Sequence, residues 1–221
     1  MMTNLFSTFD PATSIKTSIN WISMLSYMLL IPLPYWIMSN RSTMLYKTIM
    51  FLMYNEFKIL MGINAQGMKL GMISLFFVIL MNNMMGLLPY IFTSTSHLVI
   101  SLTMALPLWM SLMMFGWLNK TNYMFAHLIP AGTPGVLMPF MVIIETTSNL
   151  IRPGSLAVRL TANMIAGHLM MSLLGNSLNF NLISIIIITM QLMLMMFELA
   201  VALIQAYVFS VLSTLYSSEI M

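Results

Sequence analysis

The sequence predicts an all-α membrane protein, about five membrane-crossing helices plus one interfacial amphipathic helix, and three observations predict it. The composition is 60% hydrophobic and only 6% charged, with a mean hydropathy of +0.93, more apolar surface than a soluble domain of this length can carry. The apolar residues come in long unbroken runs, which suit helices; the strands of a membrane barrel would read as ten-residue alternating segments. Turn and breaker residues separate the runs. In lipid every backbone N–H and C=O must be satisfied internally, so no other spanning structure is open to such runs.

The first crossing is placed at 19–38, with Pro32 and Pro34 near its end, where freed backbone groups lie close to the interface. In 45–61 the pattern changes. Ile49, Leu52, Met53, Phe57 and Leu60 recur at helical spacing, with Lys47, Asn55 and Lys58 opposite, the signature of an interfacial amphipathic helix. Glu56 falls at the edge of the stripe and is read as a snorkelling carboxylate. After the turn residues of 62–67 come crossings at 70–88 and 98–118, joined by 89–96. A polar connection with Pro and Gly, 119–135, leads into two long segments, 136–174 and 182–217, split by Gly175, Asn176, Ser177, Asn179 and Asn181. At 1.5 Å per residue each long segment reaches roughly 50–60 Å, against a hydrocarbon core of about 30 Å. They must tilt steeply, break, or both, and Pro153 with Gly154 offers a place to bend. The whole, 1–221, reads as a single transmembrane domain without internal repeats.

Five crossings put Arg41, Lys47, Lys58, Lys69 and Lys120 on one side and Lys16 on the other. By the positive-inside rule the N-terminus is outside and the C-terminus inside. Residues 1–11 lack a basic region leading into a short apolar core, so no removable signal peptide is expected. Cysteine is absent, which excludes disulfides, thiolate metal sites and cysteine nucleophiles. A dispersed net charge of +3 does not suggest nucleic acid. The 29 methionines are spread through every apolar segment in place of Leu and Ile, and are read as a codon effect.

Charges inside lipid cost about 2.5–3.5 kcal/mol on insertion scales, so each needs a reason. The last two segments hold most of them: Glu145, Arg152, Arg159 and His168 in one, Glu198 in the other. At 100° per residue, Arg152, Arg159 and Asn163 fall within about 40° of one another on a helix. Gln191, Glu198 and Gln205 recur every seven residues and make a second stripe. Two polar stripes on neighbouring steep helices suit an aqueous path or a wet interface with a partner. The competing explanation is structural: Arg159 pairs with Glu198 and amides cross-link helices for about 0.6–2 kcal/mol each. For Asn82 and Asn83 that explanation is preferred, and His97 and His127, in connections, are read as solvated. No metal cluster, nucleophile triad or phosphate loop is present, so an independent enzyme is not expected.

The stretch LAVRLTANMIAGHL (156–169) resembles the signature of subunit a of the mitochondrial F-type ATP synthase, animal type. NNMMGLLPYIFTSTSHL (82–98), ALPLW (105–109), HLIPAGTP (127–134) and ALIQAYVFSVLSTLY (202–216) are similar to that family too, in order along the chain. The resemblance implies that Arg159 is the essential arginine facing the rotating c-ring. It implies that Asn163, His168, Glu198 and Gln205 line or support the proton path and that Glu145 lies on its matrix side. It further implies a subunit not catalytic alone, without a cofactor, seated among inner-membrane lipids beside the c-ring, the peripheral stalk and other Fo subunits. The N-terminus would then face the intermembrane space and the C-terminus the matrix.

A guanidinium does not lose its proton in a protein, so Arg159 would act electrostatically, between two access paths that do not meet. In an antiparallel hairpin Arg159 can meet Gln205 and His168 can meet Glu198, which centres the hairpin near 182; the turn residues alone suggest 178. The rivals are an ion-coupled secondary transporter, which should show a repeat and half-helices, and a structural membrane scaffold, which should tolerate neutral replacements.

Overall fold

The computed structural model describes residues 4–14, 17–33, 35, 37–62, 66–129, 133–178 and 183–220. Among them the regular structure is helical, with one isolated bridge between Ser14 and Thr17. Among the described residues four helices are long and apolar enough to cross a membrane.

The segment expected to cross first, 19–38, departs from a single helix. Residues Ile19–Leu25 form a 3-10 helix and only Tyr27–Leu30 (α1) is α-helical. Ile31 is extended, with φ −73° and ψ 116°, because the ring of Pro32 excludes the α region for the residue before it. The proline therefore stops the helix instead of lying inside its last turn. Pro34 and Lys16 lie outside the described residues.

Helix α2, Arg41–Met61, packs on two later helices through Thr43, Met53 and Phe57, flanked by Tyr46, Met50, Tyr54 and Leu60. This face is rotated from the expected stripe: Leu52 is 63% exposed. Glu56 is exposed but has a partner, accepting a hydrogen bond from the Tyr207 hydroxyl at 3.1 Å.

Helix α3 is Gln66–Gly86 and α4 is Leu98–Asn119. Between them Ser94–Ser96 make a 3-10 turn in which Thr93, Ser94, Thr95 and Ser96 are all buried. A short helix, α5 (Thr121–His127), occupies the connection after α4. Then come α6, Met138–Asn176, and α7, Ile183–Ile220, of 39 and 38 residues. At 1.5 Å per residue each is about 57 Å long. Helix α6 runs through Pro153 without a break. Its missing N–H leaves the Asn149 carbonyl without its helical partner.

The core forms where α3, α2, α4 and α6 close on α7. Large side chains of α3, among them Met72, Phe76, Phe77 and Ile79, are buried. Opposite, α7 buries Ala202, Ala206, Ser210, Ser213, Thr214 and Ser217 at three- and four-residue spacing. Small residues let the two backbones approach, and in lipid such close packing replaces the hydrophobic drive of a soluble core. The hydroxyls do not demand partners across the interface. Ser210, Ser213, Thr214 and Ser217 each donate to the carbonyl three residues back, at 2.7–2.9 Å. Asn82 and Asn83 are buried in α3, and neither amide nitrogen, nor the Asn83 side-chain oxygen, has a hydrogen-bond partner among the described residues, so Asn83 does not form the amide cross-link expected of it.

Candidate functional site

On α6 the buried residues Pro153, Leu156, Ala157, Leu160, Thr161 and Met164 form one stripe against the other helices. Arg159 and Asn163 lie on the opposite, exposed face. No carboxylate among the described residues lies within 4.0 Å of the Arg159 guanidinium. What holds Arg159 is its main chain: Gln205 on α7, itself buried, donates from Nε2 to the Arg159 carbonyl at 3.0 Å. The pairing of residues 159 and 205 expected for the hairpin thus exists, through the backbone of one and the amide of the other. The turn near 178–182 falls mostly outside the described residues. The structural alternative, an Arg159–Glu198 ion pair, is not made.

Two turns further along, Glu198 lies against Gly167. An added Cβ at Gly167 would stand 2.7 Å from the Glu198 carboxyl carbon, so only a glycine leaves room for that carboxyl group. Both carboxyl oxygens are buried without a partner among the described residues, an arrangement that leaves them free to take up a proton or a water. A groove of about 420 Å³ opens here, lined by Asn163, Gly167, Met170, Phe197 and Glu198 among others. It adjoins the exposed face that carries Arg159.

His168 and Glu198, expected to pair, are not joined by a hydrogen bond or an ion pair. Consecutive residues on a helix point about 100° apart, so with Gly167 against Glu198 the neighbouring imidazole turns away. It meets Phe9 edge-on at 6.2 Å between ring centroids, and its buried Nε2 has no hydrogen-bond partner among the described residues. His168 instead lines a cavity of about 890 Å³, together with Gln191 of α7, residues of the 87–93 connection and the N-terminal segment. His97, expected to be solvated, is half-buried between Trp21 and Phe92, at 5.0 and 5.3 Å. His127, by contrast, is exposed.

The other end of the helix pair holds a charge cluster. Arg152 Nη1 donates to Glu219 Oε2 at 2.7 Å, its Nη2 lies 3.5 Å from Glu145 Oε1, and the guanidinium covers the Tyr216 ring at 4.8 Å. Arg152 therefore turns into the helix pair, away from Arg159, although the two share one nominal face. Along α6, Glu145 is about 21 Å of axis on one side of Arg159 and His168 about 14 Å on the other. Glu219 was not singled out from the sequence, yet the seven-residue repeat of Gln191, Glu198 and Gln205 reaches it if continued past Leu212. Gly167 also had a readable signal, as a small residue in a helix facing the Glu198 stripe.

Residues 17–218 match the protein family described as ATP synthase A chain. Over their full lengths, the chain is 58% identical to ATP synthase subunit a of Aedes aegypti, 57% to that of Locusta migratoria and 55% to that of Drosophila melanogaster. With a match over nearly its whole length and relatives of that closeness, the chain belongs to the ATP synthase A chain family, in its animal mitochondrial branch.

Proposed function

We propose that this chain, a non-catalytic membrane subunit of ATP synthase by its family, carries protons along two offset half-channels that Arg159 keeps apart. The observation that carries the reading is the exposed guanidinium, without an ion-pair partner among the described residues, on the outer face of a helix otherwise suited to lipid. A cation is costly there unless a partner supplies a carboxylate. The partner that fits is a rotating ring of small subunits, each bearing a lipid-facing carboxyl group, the c-ring. At 4 Å and an effective dielectric near 20, Arg159 would favour the ionised form of such a carboxylate by about 4 kcal/mol. Each ring site gives up its proton on reaching the arginine and cannot carry it straight past.

One half-channel runs from the cavity beside His168 to Glu198 and Asn163 at the groove. The other ends at Glu145, at the end of α6 that carries Arg152 and Glu219. Gln205 supports both by fixing the main chain of Arg159. With the basic side inward, the His168 end faces the intermembrane space and the Glu145 end the matrix, with the N-terminus outside and the C-terminus inside. Helices α6 and α7, too long to stand upright in a bilayer of about 30 Å, lie steeply tilted and follow the ring. Peripheral-stalk and other Fo subunits, with inner-membrane lipids, cover the remaining apolar surface.

The test is Arg159→Ala in the assembled complex. The separation predicts that proton-coupled ATP synthesis is abolished while assembly is retained, since the Gln205 bond goes to a carbonyl that alanine keeps. Normal coupled synthesis would overturn the reading and favour a structural scaffold, which tolerates neutral replacement.

A further inference from the structure

One wall of the cavity beside His168 comes from a part of the chain that the half-channel reading does not use. The N-terminal segment folds into a 3-10 turn, Leu5–Phe9, closed by hydrogen bonds from Ser7 N–H to the Asn4 carbonyl and from Asp10 N–H to the Ser7 carbonyl. The turn places Phe9 edge-on against His168 and Asp10 on the cavity wall. Asp10 is held on both sides. Its Oδ1 accepts the Ala12 N–H at 3.0 Å, and its carbonyl accepts from Asn20 Nδ2 at 3.4 Å. The residue is nevertheless exposed.

Among the described residues lining this cavity the titratable groups are Asp10 from the N-terminal segment, Tyr90 from the connection after α3, and His168 from α6; α7 contributes the neutral Gln191. Asp10 is the one carboxylate of the set and the one aspartate of the chain. Water near neutral pH holds few free protons, so a buried acceptor fills only as fast as its mouth collects them. A fixed negative charge at the opening of a low-dielectric cleft raises the arrival rate of cations.

We propose that Asp10 is a proton-collecting carboxylate at the mouth of the access cavity, with the N-terminal turn a working wall of the route. Asp10 takes a proton from water or buffer, passes it to the water in the cavity, and returns to its ionised form; no bond other than O–H forms or breaks. The proposal rests on the reading of His168 and Glu198 as the access path.

The experiment compares Asp10→Asn, Asp10→Glu and the unsubstituted chain in vesicles holding the assembled complex, driven to make ATP at varied pH and buffer strength on the cavity side. In weak buffer at about pH 8, Asp10→Asn should synthesise about threefold more slowly or worse, and at about pH 6 at the normal rate. Concentrated imidazole buffer on the same side should restore it, and Asp10→Glu should behave as unsubstituted. Equal rates at every pH overturn the proposal. So does a loss that is the same at every pH and indifferent to buffer, which marks a structural lesion. Glu198→Gln, run in parallel, separates the two levels: if it synthesises normally the path itself is wrong, whereas an inactive Glu198→Gln beside an unaffected Asp10→Asn removes only the collecting role.

Discussion

A single methyl group at position 167 should slow proton transfer through the chain without unfolding it. Built on the Gly167 backbone, a Cβ falls 2.7 Å from the Glu198 carboxyl carbon, 2.8 Å from Oε1 and 3.1 Å from Oε2. Carbon atoms in good contact sit about 3.5–4.0 Å apart, so the carboxyl group must retreat by about 1 Å. It is the part that yields, being the end of a flexible side chain, while the two backbones are pinned nearby by the Gln205 bond. Folding changes little. Alanine is the better helix residue by about 0.8–1.0 kcal/mol, against a cost of overpacking of about 1–3 kcal/mol, a net loss of about 2 kcal/mol at most. Proton transfer is less tolerant: it needs heavy atoms about 2.6–3.2 Å apart, and a misplacement of about 1 Å can cost a hundredfold. Gly167→Ala is therefore expected to assemble normally and to lose between about tenfold and a hundredfold in proton-driven ATP synthesis. The control is Gly154→Ala on the same helix, where an added Cβ meets nothing within 4 Å. Synthesis is measured in vesicles and normalised to assembled complex on native gels. A normal rate in Gly167→Ala, or an equal loss in both variants, would refute the reasoning.

Arg159→Ala should abolish coupled synthesis with assembly intact, and Arg159→Lys should fail or nearly fail, since an ammonium is a compact charge and not a broad planar fork; rates in the same vesicles decide both. Because the chain has no cysteine of its own, Leu194→Cys, beside Glu198 in the groove, and Ser148→Cys, whose native hydroxyl bonds the Glu145 carbonyl, report access cleanly. They should react with water-soluble thiol reagents applied from opposite membrane faces, and labelling of both from the same face would contradict two separate paths. Arg152→Met leaves Glu145 and Glu219 without their shared cation, and since Arg152 is 24% exposed the cost should lie between that of an exposed and a buried pair, about 1–3 kcal/mol. Glu219→Gln should cost less, because Arg152 keeps Glu145; thermal inactivation of the complex measures both.

The sequence was most readable where one physical demand dominates. Long apolar runs can only be satisfied in lipid by helices, and α3, α4, α6 and α7 lie where those runs lie. Hydropathy reads less well where local sterics compete with it, as at Pro32, which ends the helical part of 19–38 early. The polar stripe of α7 was visible as a seven-residue repeat, and Gln205 reaches α6 at Arg159. Periodicity gives the face of a residue but not the path of a long side chain. Arg152 bends toward Glu219 while Arg159 points outward, and His168 turns to Phe9 while its neighbour Gly167 receives Glu198. The role of Asp10 was hidden for another reason: nothing in the N-terminal residues announces a contact with a helix some 160 positions later, near His168.

The bond from Gln205 goes to a carbonyl, and every residue has one. The mooring of α6 to α7 at this level is therefore indifferent to the side chain at 159, which swings like a boom on a mast already stayed. Shortening, lengthening or neutralising that boom leaves the rigging untouched, so a series of replacements at 159 measures the effect of charge and reach alone. Removing the stay, as in Gln205→Ala, would do the reverse: the same charge would be carried on a support free to sway.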